Sequence, residues 1–585
     1  MSKYNIDFDP IEPIDITSVG QSLGKSEGEP YNPFQIENLQ YYHPVYNLFK
    51  GDSNEGLENP ISLNHPYKFC DSTSIYSAGS PKERTSRPIF TKFAPLVDPL
   101  KFLIGKYKDD YDRIRKLPSA NTDNNSHEKL KSIHNASYVD NFFCYLSNQA
   151  LYHHQVLHGI EYYGSFLGIQ KKYRMNIADD LDYVMQSDYF LENKGILYEI
   201  DDLDEGSQEL FQESSRANKG KLNIHNDTAI STVSFHEDKE VQREPEIIDG
   251  DLIEVNDFDI EHSVDIHLDI HTEDDSDDSE INYSDSDDEA GSHEEDEDDD
   301  EEDEEDYEDG EDEDEDEDED DDTNEFAPDP VVNAYFYDFP VQMICLERCQ
   351  GTIDELFAKK ILNLDTAASA LFQVIMTLLI FQKMYNFTHN DLHTQNIMYI
   401  ETDIEYLYYS YNGKIYKVPT YGRLYKIIDF GRAIYTFQGN LFCSDSFDIG
   451  GDGHTQYNCE PFFDPTKPRI DPNYSFDLCR LGCSIYDYIL DIEEELDPKI
   501  KKNALEKTII DWVTDDNGKN VLYKKSGDER YPNFKLYKMI ARTVHHKLPQ
   551  DQLKNPYFAQ FEYKISKKEK KNINIVDIDS LPAYI

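Results

Sequence analysis

The segment Thr388-His389-Asn390-Asp391-Leu392-His393-Thr394-Gln395-Asn396-Ile397-Met398 decides how the rest of the chain is interpreted. It places a carboxylate, Asp391, and a carboxamide, Asn396, five residues apart. An apolar segment of helical character, residues 370–384, comes before it. Further along, Lys426-Ile427-Ile428-Asp429-Phe430-Gly431-Arg432-Ala433 adds a second carboxylate ahead of a glycine, with 32 residues between Asn396 and Asp429. The pattern therefore places two carboxylates and a carboxamide on predicted loops.

This set of side chains suits phosphoryl transfer. Such a reaction needs one group that orients the attacking hydroxyl and takes its proton. It also needs oxygen ligands that hold magnesium on the phosphates of a nucleotide. Asp391 is the candidate for the first task, and Asn396 and Asp429 are the candidate metal ligands.

Three motifs of the chain resemble motifs of the protein-kinase superfamily. H-x-D-L-x-x-x-N, which begins at His389, and D-F-G, which begins at Asp429, resemble its catalytic loop and magnesium loop. Ser475-Phe476-Asp477-Leu478-Cys479-Arg480-Leu481-Gly482-Cys483-Ser484-Ile485-Tyr486 resembles the S-D-x-W-S-x-G-x-x-x-Y helix of the kinase C-lobe. The alternative is that a helix end, a tight turn and a buried helix carry these residues for packing alone. The order of the three motifs favours the resemblance.

The resemblance implies supporting roles for four further residues. Gly431 would let the backbone turn so that Asp429 faces the cleft, and Phe430 would pack behind the loop. Asp477 would accept hydrogen bonds from the backbone of the catalytic loop; the alternative is the N-cap of its own helix, and the two roles are compatible. His389 would support the loop structurally.

His393 occupies a position where serine/threonine kinases commonly have a lysine. It is a catalytic candidate, although a neutral histidine would stabilise less developing charge on the phosphate than a lysine. H-x-D-L-H-x-x-N also resembles the small-molecule phosphotransferases, such as aminoglycoside and choline kinases. Asn390 replaces the arginine with which many kinases sense a phosphorylated activation loop, so that route of regulation is not expected.

Lys92 is the candidate for gripping the nucleotide phosphates. The alternation in residues 87–95 predicts a strand, with Lys92 on one of its faces. A strand lysine in this place resembles the lysine of the kinase N-lobe, and a solvated lysine is the alternative. In kinases a helical glutamate pairs with it, but the predicted helix 138–154 holds only one acidic residue, Asp140. The partner of Lys92 is therefore left open. Only Gly79 lies where a glycine-rich phosphate loop is expected.

The segment 341–349 resembles the kinase strand that leads into the hinge. In that resemblance Glu347 and Cys349 present backbone groups to adenine, and Leu346 lines the back of the pocket. The residues 351–356 would then form the short helix that follows a kinase hinge.

The net charge of −64 is concentrated in one tract. Residues 273–322 contain 37 Asp or Glu and no Lys or Arg, so the remainder of the chain carries only −27. Because such a tract cannot bury a core, it is expected to be disordered. It is either a solubilising loop or a docking site for basic proteins. Direct binding of nucleic acid is not expected.

The eight cysteines form no C-x-x-C pair, so disulfides and zinc are not expected and a reducing intracellular compartment fits. The first residues lack a signal pattern, and the longest apolar run, 370–381, is too short to span a bilayer. We therefore expect a soluble intracellular protein without membrane association. If it is viral, the host cytoplasm or the virion would be its place.

The expected fold is α+β and bilobal, like that of protein kinases. It would have a small β-rich N-lobe, a disordered acidic insertion and a mainly helical C-lobe. The chain is similar to divergent serine/threonine kinases of giant DNA viruses in its F-x-K-F-x-P-L strand, its D-L-H-T loop and a long hairpin before D-F-G, here placed near Asn412-Gly413. The predicted segments are a flexible tail (1–60), the N-lobe (61–200), the insertion (201–329), the hinge strand with the C-lobe (330–560) and a C-terminal tail (561–585).

The leading hypothesis for function is ATP- and magnesium-dependent phosphorylation of Ser or Thr on a protein. One alternative is phosphorylation of a small-molecule hydroxyl. Another is a pseudokinase scaffold whose acidic tract captures basic proteins. The missing glycine-rich loop and the missing helical glutamate favour the scaffold, whereas the complete trio of Asp391, Asn396 and Asp429 opposes it.

Overall fold

The computed structural model of the protein describes residues 3–16, 19, 31–41, 44–49, 61–119, 125–178, 180–201, 331–490, 492–496, 498–566, 568–571 and 573–585. These residues form a mixed α/β structure that is compatible with the predicted α+β class. The acidic tract 273–322 and nearly all of the predicted insertion lie outside the described residues.

The strands are numbered in chain order. They are β1 Phe8–Pro10, β2 Ile36–Gln40, β3 Ile61–Leu63, β4 Tyr67–Asp71, β5 Ser74–Ser77, β6 Ser80–Ser86, β7 Ile89–Pro95, β8 Tyr162–Asn176, β9 Tyr198–Ile200, β10 Asn333–Glu347, β11 Gly351–Thr352, β12 Ile397–Glu401, β13 Tyr406–Tyr411, β14 Lys414–Pro419, β15 Arg423–Ile427, β16 Ile434–Phe437, β17 Asn440–Cys443, β18 Glu562–Tyr563 and β19 Val576–Asp577.

The α-helices are numbered in the same way. They are α1 Tyr46–Phe49, α2 Pro99–Leu103, α3 Tyr111–Ile114, α4 Glu128–Lys131, α5 Ala136–His154, α6 Leu181–Met185, α7 Asp188–Asn193, α8 Ile353–Ala358, α9 Leu364–Tyr385, α10 Phe476–Ile489, α11 Ile492–Leu496, α12 Ala504–Trp512, α13 Lys535–Thr543, α14 Pro549–Gln552 and α15 Pro556–Ala559.

A five-stranded sheet positions the N-terminal part of the candidate site. Its strand order is β2-β8-β10-β7, and β9 pairs with the far end of β10. In the antiparallel pair of β7 and β10, Lys92 lies opposite Ile344 and Phe90 lies opposite Leu346. Ile89 and Phe93 face a separate core cluster, so the alternation predicted for β7 is confirmed. The register therefore places Lys92 beside the strand that continues into the hinge segment.

Helix α5 packs against this sheet and is almost entirely buried. It starts after Asn135, whose side chain accepts a hydrogen bond from the N–H of Ser137, and it ends at Gln155 in the left-handed conformation. Phe142 and Phe143 are fully buried in the main core. The helix thus holds its one acidic residue, Asp140, on a rigid and solvent-excluded element.

Helix α9 leads into residues 388–398, the predicted catalytic loop. The Asn363 side chain accepts hydrogen bonds from the N–H groups of Asp365 and Thr366, while the Thr366 hydroxyl accepts the Asn363 N–H. This capping box fixes the start of the helix. In the described part of the chain, α9 is the one helix long and apolar enough to cross a membrane, so the expectation that its apolar segment is too short is wrong. However, 83% of its most apolar stretch is buried. That burial is consistent with the core helix of a soluble protein.

The predicted hairpin before D-F-G is present, but the predicted C-terminal tail is wrong. β13 and β14 pair around Asn412 and Gly413, which both have positive φ. β18 pairs with β14, and β19 pairs with β13, so residues from 561–585 complete a four-stranded sheet. The hairpin edges offer unpaired backbone groups, and the C-terminal segment satisfies them.

The predicted flexible tail of residues 1–60 also needs correction. Strand β2 pairs with β8, and Phe34, Ile36 and Tyr46 are buried. Burying a large apolar side chain contributes roughly 1.5–3 kcal/mol, which favours an ordered segment even where turn-forming residues are common. A few aromatic and branched side chains therefore anchor the described parts of residues 1–60, although the overall composition of this segment is typical of a flexible tail.

Tyr4 and Tyr584 meet next to the ends of helices α5 and α9. Their ring centroids are 4.4 Å apart, and the Tyr4 N–H donates to the Tyr584 hydroxyl at 3.0 Å. The Tyr4 hydroxyl is 2.7 Å from that of Tyr385, and the Tyr584 hydroxyl is 2.8 Å from His154 Nε2. The ring of Phe437 in β16 stacks on Tyr584 at 5.6 Å. The two tyrosines thus tie together α5, α9 and the strand after D-F-G.

Deletion of residues 273–322 should leave the unfolding temperature nearly unchanged, or raise it by relieving charge repulsion. The reason is topological: Ile200 and Ala334 are antiparallel partners, and the Asp201 N–H donates to the Asn333 carbonyl at 2.9 Å. The described chain therefore leaves and returns at one point of the sheet. Calorimetric unfolding of the full chain and the deletion variant checks this. Loss of the cooperative transition would show that the tract is needed for folding.

Candidate active site

The catalytic-loop segment is tied to the D-F-G segment by its backbone. Helix α9 ends before Asn386, which has a φ of 55°, and Thr388 then forms an isolated bridge with Ile434. The N–H of each donates to the carbonyl of the other, at 2.9 and 3.0 Å. Because Ile434 begins β16, the two motif segments cannot move apart without breaking these bonds.

Asp477 holds the same loop from helix α10. Its two carboxylate oxygens accept the N–H groups of His389, at 2.9 Å, and Asn390, at 2.8 Å. This is the contact that the family resemblance implies. The alternative of a helix cap is wrong, because Asp477 lies inside α10 and Ser475 occupies the cap position. Burial raises the pKa of Asp477, and the two N–H groups oppose that rise.

Asp391 lies in the loop with most of its side chain buried. Its N–H donates to His389 Nδ1 at 3.3 Å, and its Oδ1 accepts the Tyr537 hydroxyl at 2.8 Å. Burial acts to raise the pKa of Asp391. Positive charge outweighs it, from His393 when protonated and from Arg432 and Arg480, and the Tyr537 hydrogen bond adds to the effect. The pKa of Asp391 is therefore below its usual value, and the group is a carboxylate at neutral pH.

His393 is close to Asp391 in sequence and is equally buried. Burial lowers the pKa of His393 to about 4, so the ring is neutral at pH 7. Its Nδ1 accepts the N–H of Gln395 at 3.3 Å, which assigns the proton to Nε2. Nε2 is buried and has no hydrogen-bond partner among the described residues. The residue therefore offers a neutral donor, whereas a lysine in this place would offer a cation.

Asn396 and Asp429 are brought together as candidate oxygen ligands. The Asn396 Nδ2 donates to the carbonyl of Asp391 at 3.0 Å, so the side-chain oxygen of Asn396 takes no part in this hydrogen bond. The Asn396 carbonyl accepts the N–H of Ile428 at 3.0 Å, so Asn396 is bonded to the residue next to Asp429. A carboxylate and an amide oxygen are ligands that fit magnesium.

The backbone turn of D-F-G is made by Asp429 itself. Its φ is 62°, whereas Gly431 does not have a positive φ, so the turning role predicted for Gly431 is wrong. The Asp429 Oδ1 accepts the Gly431 N–H at 3.4 Å. Asp and Asn tolerate the left-handed conformation because their short side chains bond to nearby backbone in this way.

Lys92 has two carboxylate partners. Its Nζ is 2.5 Å from Asp140 Oδ2 and 2.9 Å from Asp429 Oδ1. Asp140 Oδ1 accepts the N–H of Phe430 at 2.8 Å, so the same carboxylate also holds the D-F-G backbone. Burial acts to lower the pKa of Lys92, but the two carboxylates outweigh it and raise that pKa. Asp140 is therefore the helical carboxylate that pairs with Lys92, in place of the glutamate that the helix lacks.

Phe430 and His389 fill the space behind this cluster. The Phe430 ring is fully buried, 4.6 Å from the ring of Phe143 on α5 and 5.8 Å from that of His389. His389 Nε2 lies 2.9 Å from the carbonyl of Ile428 and donates to it, because Nδ1 is an acceptor. These contacts support the loops by packing, as the resemblance implies.

The hinge segment differs in detail from the expectation. Leu346 is buried at the end of β10. The Glu347 N–H donates to the carbonyl of Glu161 at 3.0 Å, and its carboxylate pairs with Lys426 and accepts the Glu161 N–H at 2.7 Å. Glu347 therefore ties the hinge to neighbouring elements. Cys349, half-buried just beyond the strand, remains the candidate donor to a ligand.

The expected glycine-rich loop has no counterpart that requires glycine. β5 and β6 form a hairpin ahead of β7, and it turns at Ala78 and Gly79. A Cβ added at Gly79 would meet nothing within 4 Å, so no close approach of the backbone explains this glycine.

Three buried residues near the motifs were missed by the sequence analysis. Lys426 lies in strand β15 between Tyr425 and Ile427, Arg480 lies in the buried helix α10, and Tyr537 lies in α13. For the two cations, the available signal was a charge inside an apolar run. The sequence carries no comparable signal for Tyr537, because its partners are distant along the chain.

Comparisons with known proteins relate the chain to kinases over limited stretches. No family model matches it. It is 38% identical over 107 residues to "Serine/threonine-protein kinase haspin" of Bos taurus and 33% identical over 127 residues to haspin of Mus musculus. It is 32% identical over 148 residues to a protein of Acanthamoeba polyphaga mimivirus named as a "putative serine/threonine-protein kinase".

The matched stretches are short on both sides. They cover 18%, 21% and 24% of this chain, and 14%, 17% and 32% of the three relatives in the same order. The chain therefore spans less than a third of the length of each relative. Within that span, the comparisons support the predicted resemblance to the protein-kinase superfamily, including a similar protein from a giant virus.

Proposed function

We propose that this protein is a protein kinase that transfers the terminal phosphate of ATP to Ser or Thr of a protein substrate. The observation that carries the proposal is the junction of Lys92, Asp140 and Asp429, because it joins three distant parts of the sequence around one buried cation. The kinase names of the relatives support the reaction class. The bilobal arrangement is part of the proposal, and so is the division into N-lobe (61–200), insertion (201–329) and hinge strand with C-lobe (330–560).

Magnesium would be held by Asp429 and Asn396 together with the nucleotide phosphates. Among the described residues, no group of three or more His, Cys, Asp or Glu could hold a metal by itself. This is compatible with magnesium, which is commonly bound by one or two protein oxygens plus phosphate. When bound, the ion would neutralise charge on the phosphates.

The residues of the chain would divide the remaining tasks. Lys92 would bind phosphate oxygens while Asp140 keeps its ammonium in place. The hinge segment at Leu346 and Cys349 would hold adenine. Asp391 would orient the acceptor hydroxyl and take its proton, and His393 Nε2–H would donate to a phosphate oxygen.

Two alternative functions concern the same site. The missing helical glutamate favours a scaffold without catalysis, whereas Asp140, which pairs with Lys92 from helix α5, favours an enzyme. A small-molecule phosphotransferase is favoured by His393, since the resemblance at that position is shared with such enzymes. Basic proteins are the proposed partners of the acidic tract, in a soluble intracellular setting.

Substitutions of the two motif carboxylates separate enzyme from scaffold. Asp391→Asn should retain magnesium-dependent binding of ATP while turnover falls by roughly a hundred-fold or more. Asp429→Asn removes a charged metal ligand and should weaken both ATP binding and turnover. Nucleotide titration and transfer of labelled phosphate to a generic protein acceptor measure the two effects. If the parent protein binds no nucleotide in the presence of magnesium, the proposed function fails.

Asp140→Asn should reduce nucleotide affinity and turnover together, because the buried Lys92 would keep only Asp429, the proposed metal ligand, as its anion. We expect a loss of roughly ten-fold or more in kcat/KM for ATP. The control is Asp511→Asn. Asp511 lies on α12 and pairs with Lys547 at 2.9 Å, and its substitution should change neither nucleotide affinity nor turnover. Unchanged nucleotide kinetics in Asp140→Asn would contradict a role for this pair.

The turnover rate should show no titration of His393 between pH 5 and 8, since burial lowers its pKa to about 4. His393→Ala should lower kcat by roughly ten- to hundred-fold through loss of the Nε2–H donor, and His393→Gln should restore part of it. The sign for stability follows from linkage. Stability attributed to neutral His393 should be lost as the pH falls from about 6.5 towards about 4. Equal kcat in all three proteins would leave His393 with a packing role only.

A further inference from the structure

Tyr537 connects the proposed catalytic carboxylate to a buried arginine. It lies on helix α13, and its hydroxyl is 2.8 Å from Asp391 Oδ1 and 2.9 Å from Arg480 Nε. All three side chains are buried. None of the motifs that define the candidate site includes Tyr537, and the proposed function assigns no role to it or to Arg480.

The direction of both hydrogen bonds is fixed by chemistry. The arginine Nε–H can only donate, so the Tyr537 oxygen must accept from it. The single hydroxyl proton of Tyr537 is then available to Asp391, whose ionised carboxylate can only accept. The chain Arg480→Tyr537→Asp391 is therefore a one-way relay that presents a donor to Oδ1.

The surroundings keep Tyr537 in one place. The ring of Phe534 stacks on it with a centroid distance of 4.8 Å and an interplanar angle of 3°. The guanidinium carbon of Arg432 lies 5.4 Å from the centre of the Tyr537 ring, and that of Arg480 lies 5.0 Å from it. The hydroxyl therefore has little freedom to turn away from Asp391.

Arg480 is an expensive residue to bury for packing alone. It is fully buried, and its Nη1 and Nη2 have no hydrogen-bond partner among the described residues. Its Nε lies 3.9 Å from Asp391 Oδ1, beyond a direct hydrogen bond but within electrostatic reach. A buried charge with incomplete hydrogen bonding costs free energy, and such costs concentrate at functional sites.

We propose that Tyr537 and Arg480 are positioning residues that fix the Asp391 carboxylate in one orientation. Oδ1 is occupied by the Tyr537 hydroxyl, and no hydrogen bond to Oδ2 comes from the described residues. The acceptor hydroxyl of the substrate would therefore meet Oδ2. This inference rests on the proposed function, because it assigns the geometry of the same carboxylate.

The charged and titratable groups that face Asp391 come from every element around it. They are His389 and His393 in the loop, Arg432 after D-F-G, Asp477 and Arg480 on α10, and Tyr537 on α13. Tyr537 is the one of these that can be altered without removing a charge or a motif residue. It is therefore the position at which to test the relay.

The test compares Tyr537→Phe with the parent in steady-state phosphate transfer from ATP to a protein acceptor. The proposal predicts that kcat falls by roughly ten- to hundred-fold, as expected for a misoriented catalytic group. The KM for ATP and the affinity for nucleotide should stay unchanged, since Lys92, Asp429 and the hinge are untouched. Calorimetry verifies that the variant is folded.

Tyr486→Phe is the matched control. Tyr486 is a fully buried tyrosine on α10 whose hydroxyl also donates to a carboxylate, Glu495, at 2.6 Å. Loss of the Tyr486 hydroxyl should change neither kcat nor the KM for ATP. An equal fall of kcat in both variants, or a fall of nucleotide affinity together with kcat in Tyr537→Phe, would overturn the positioning role in favour of a structural one.

The outcomes for the parent and the variant are separable. A parent protein that transfers no phosphate rejects the proposed function, and the positioning role with it. A parent that is active, with a Tyr537→Phe variant of the same kcat, rejects the positioning role alone and leaves the proposed function standing.

Discussion

The buried ammonium of Lys92 is the constraint on which the rest of the site depends. A cation in so dry a place is stable only if its partners are fixed, and here they are the carboxylates of Asp140 and Asp429. Asp140 belongs to helix α5, which is almost entirely buried. Asp429 belongs to a loop in which the following residue, Phe430, donates its N–H to Asp140. These three charged groups thus set the distances between strand β7, helix α5 and the D-F-G turn.

Motif spacing predicted the part of the site that local chemistry dictates. The loop from His389 to Asn396, the D-F-G turn and the contact of Asp477 with the loop all follow from side chains whose roles depend on short-range geometry. Asp140 was visible as the only acid of its helix, but a shorter side chain can replace glutamate only if the helix lies close enough to the strand. That distance depends on packing across the whole sheet and could not be obtained from the sequence.

The remaining differences have similar physical origins. The turn residue of D-F-G is Asp429, whose carboxylate accepts the Gly431 N–H and so stabilises the left-handed conformation without a glycine. The supposed tails are ordered where a few aromatic side chains find partners far away in the sequence. Tyr537 takes part in the site through tertiary contacts alone, and no pattern along the chain marks such contacts.

The pairing of Tyr4 with Tyr584 has a practical consequence for optical experiments. Ile585 is exposed, while its neighbour Tyr584 is stacked on Phe437 in the strand that follows the D-F-G turn. An environment-sensitive fluorophore on a cysteine introduced at position 585 would therefore sense displacements of that strand from a site outside the cleft. Six of the eight native cysteines are buried, so few other thiols would compete for the dye. The emission of one label could then follow, in real time, how the D-F-G segment responds to added nucleotide.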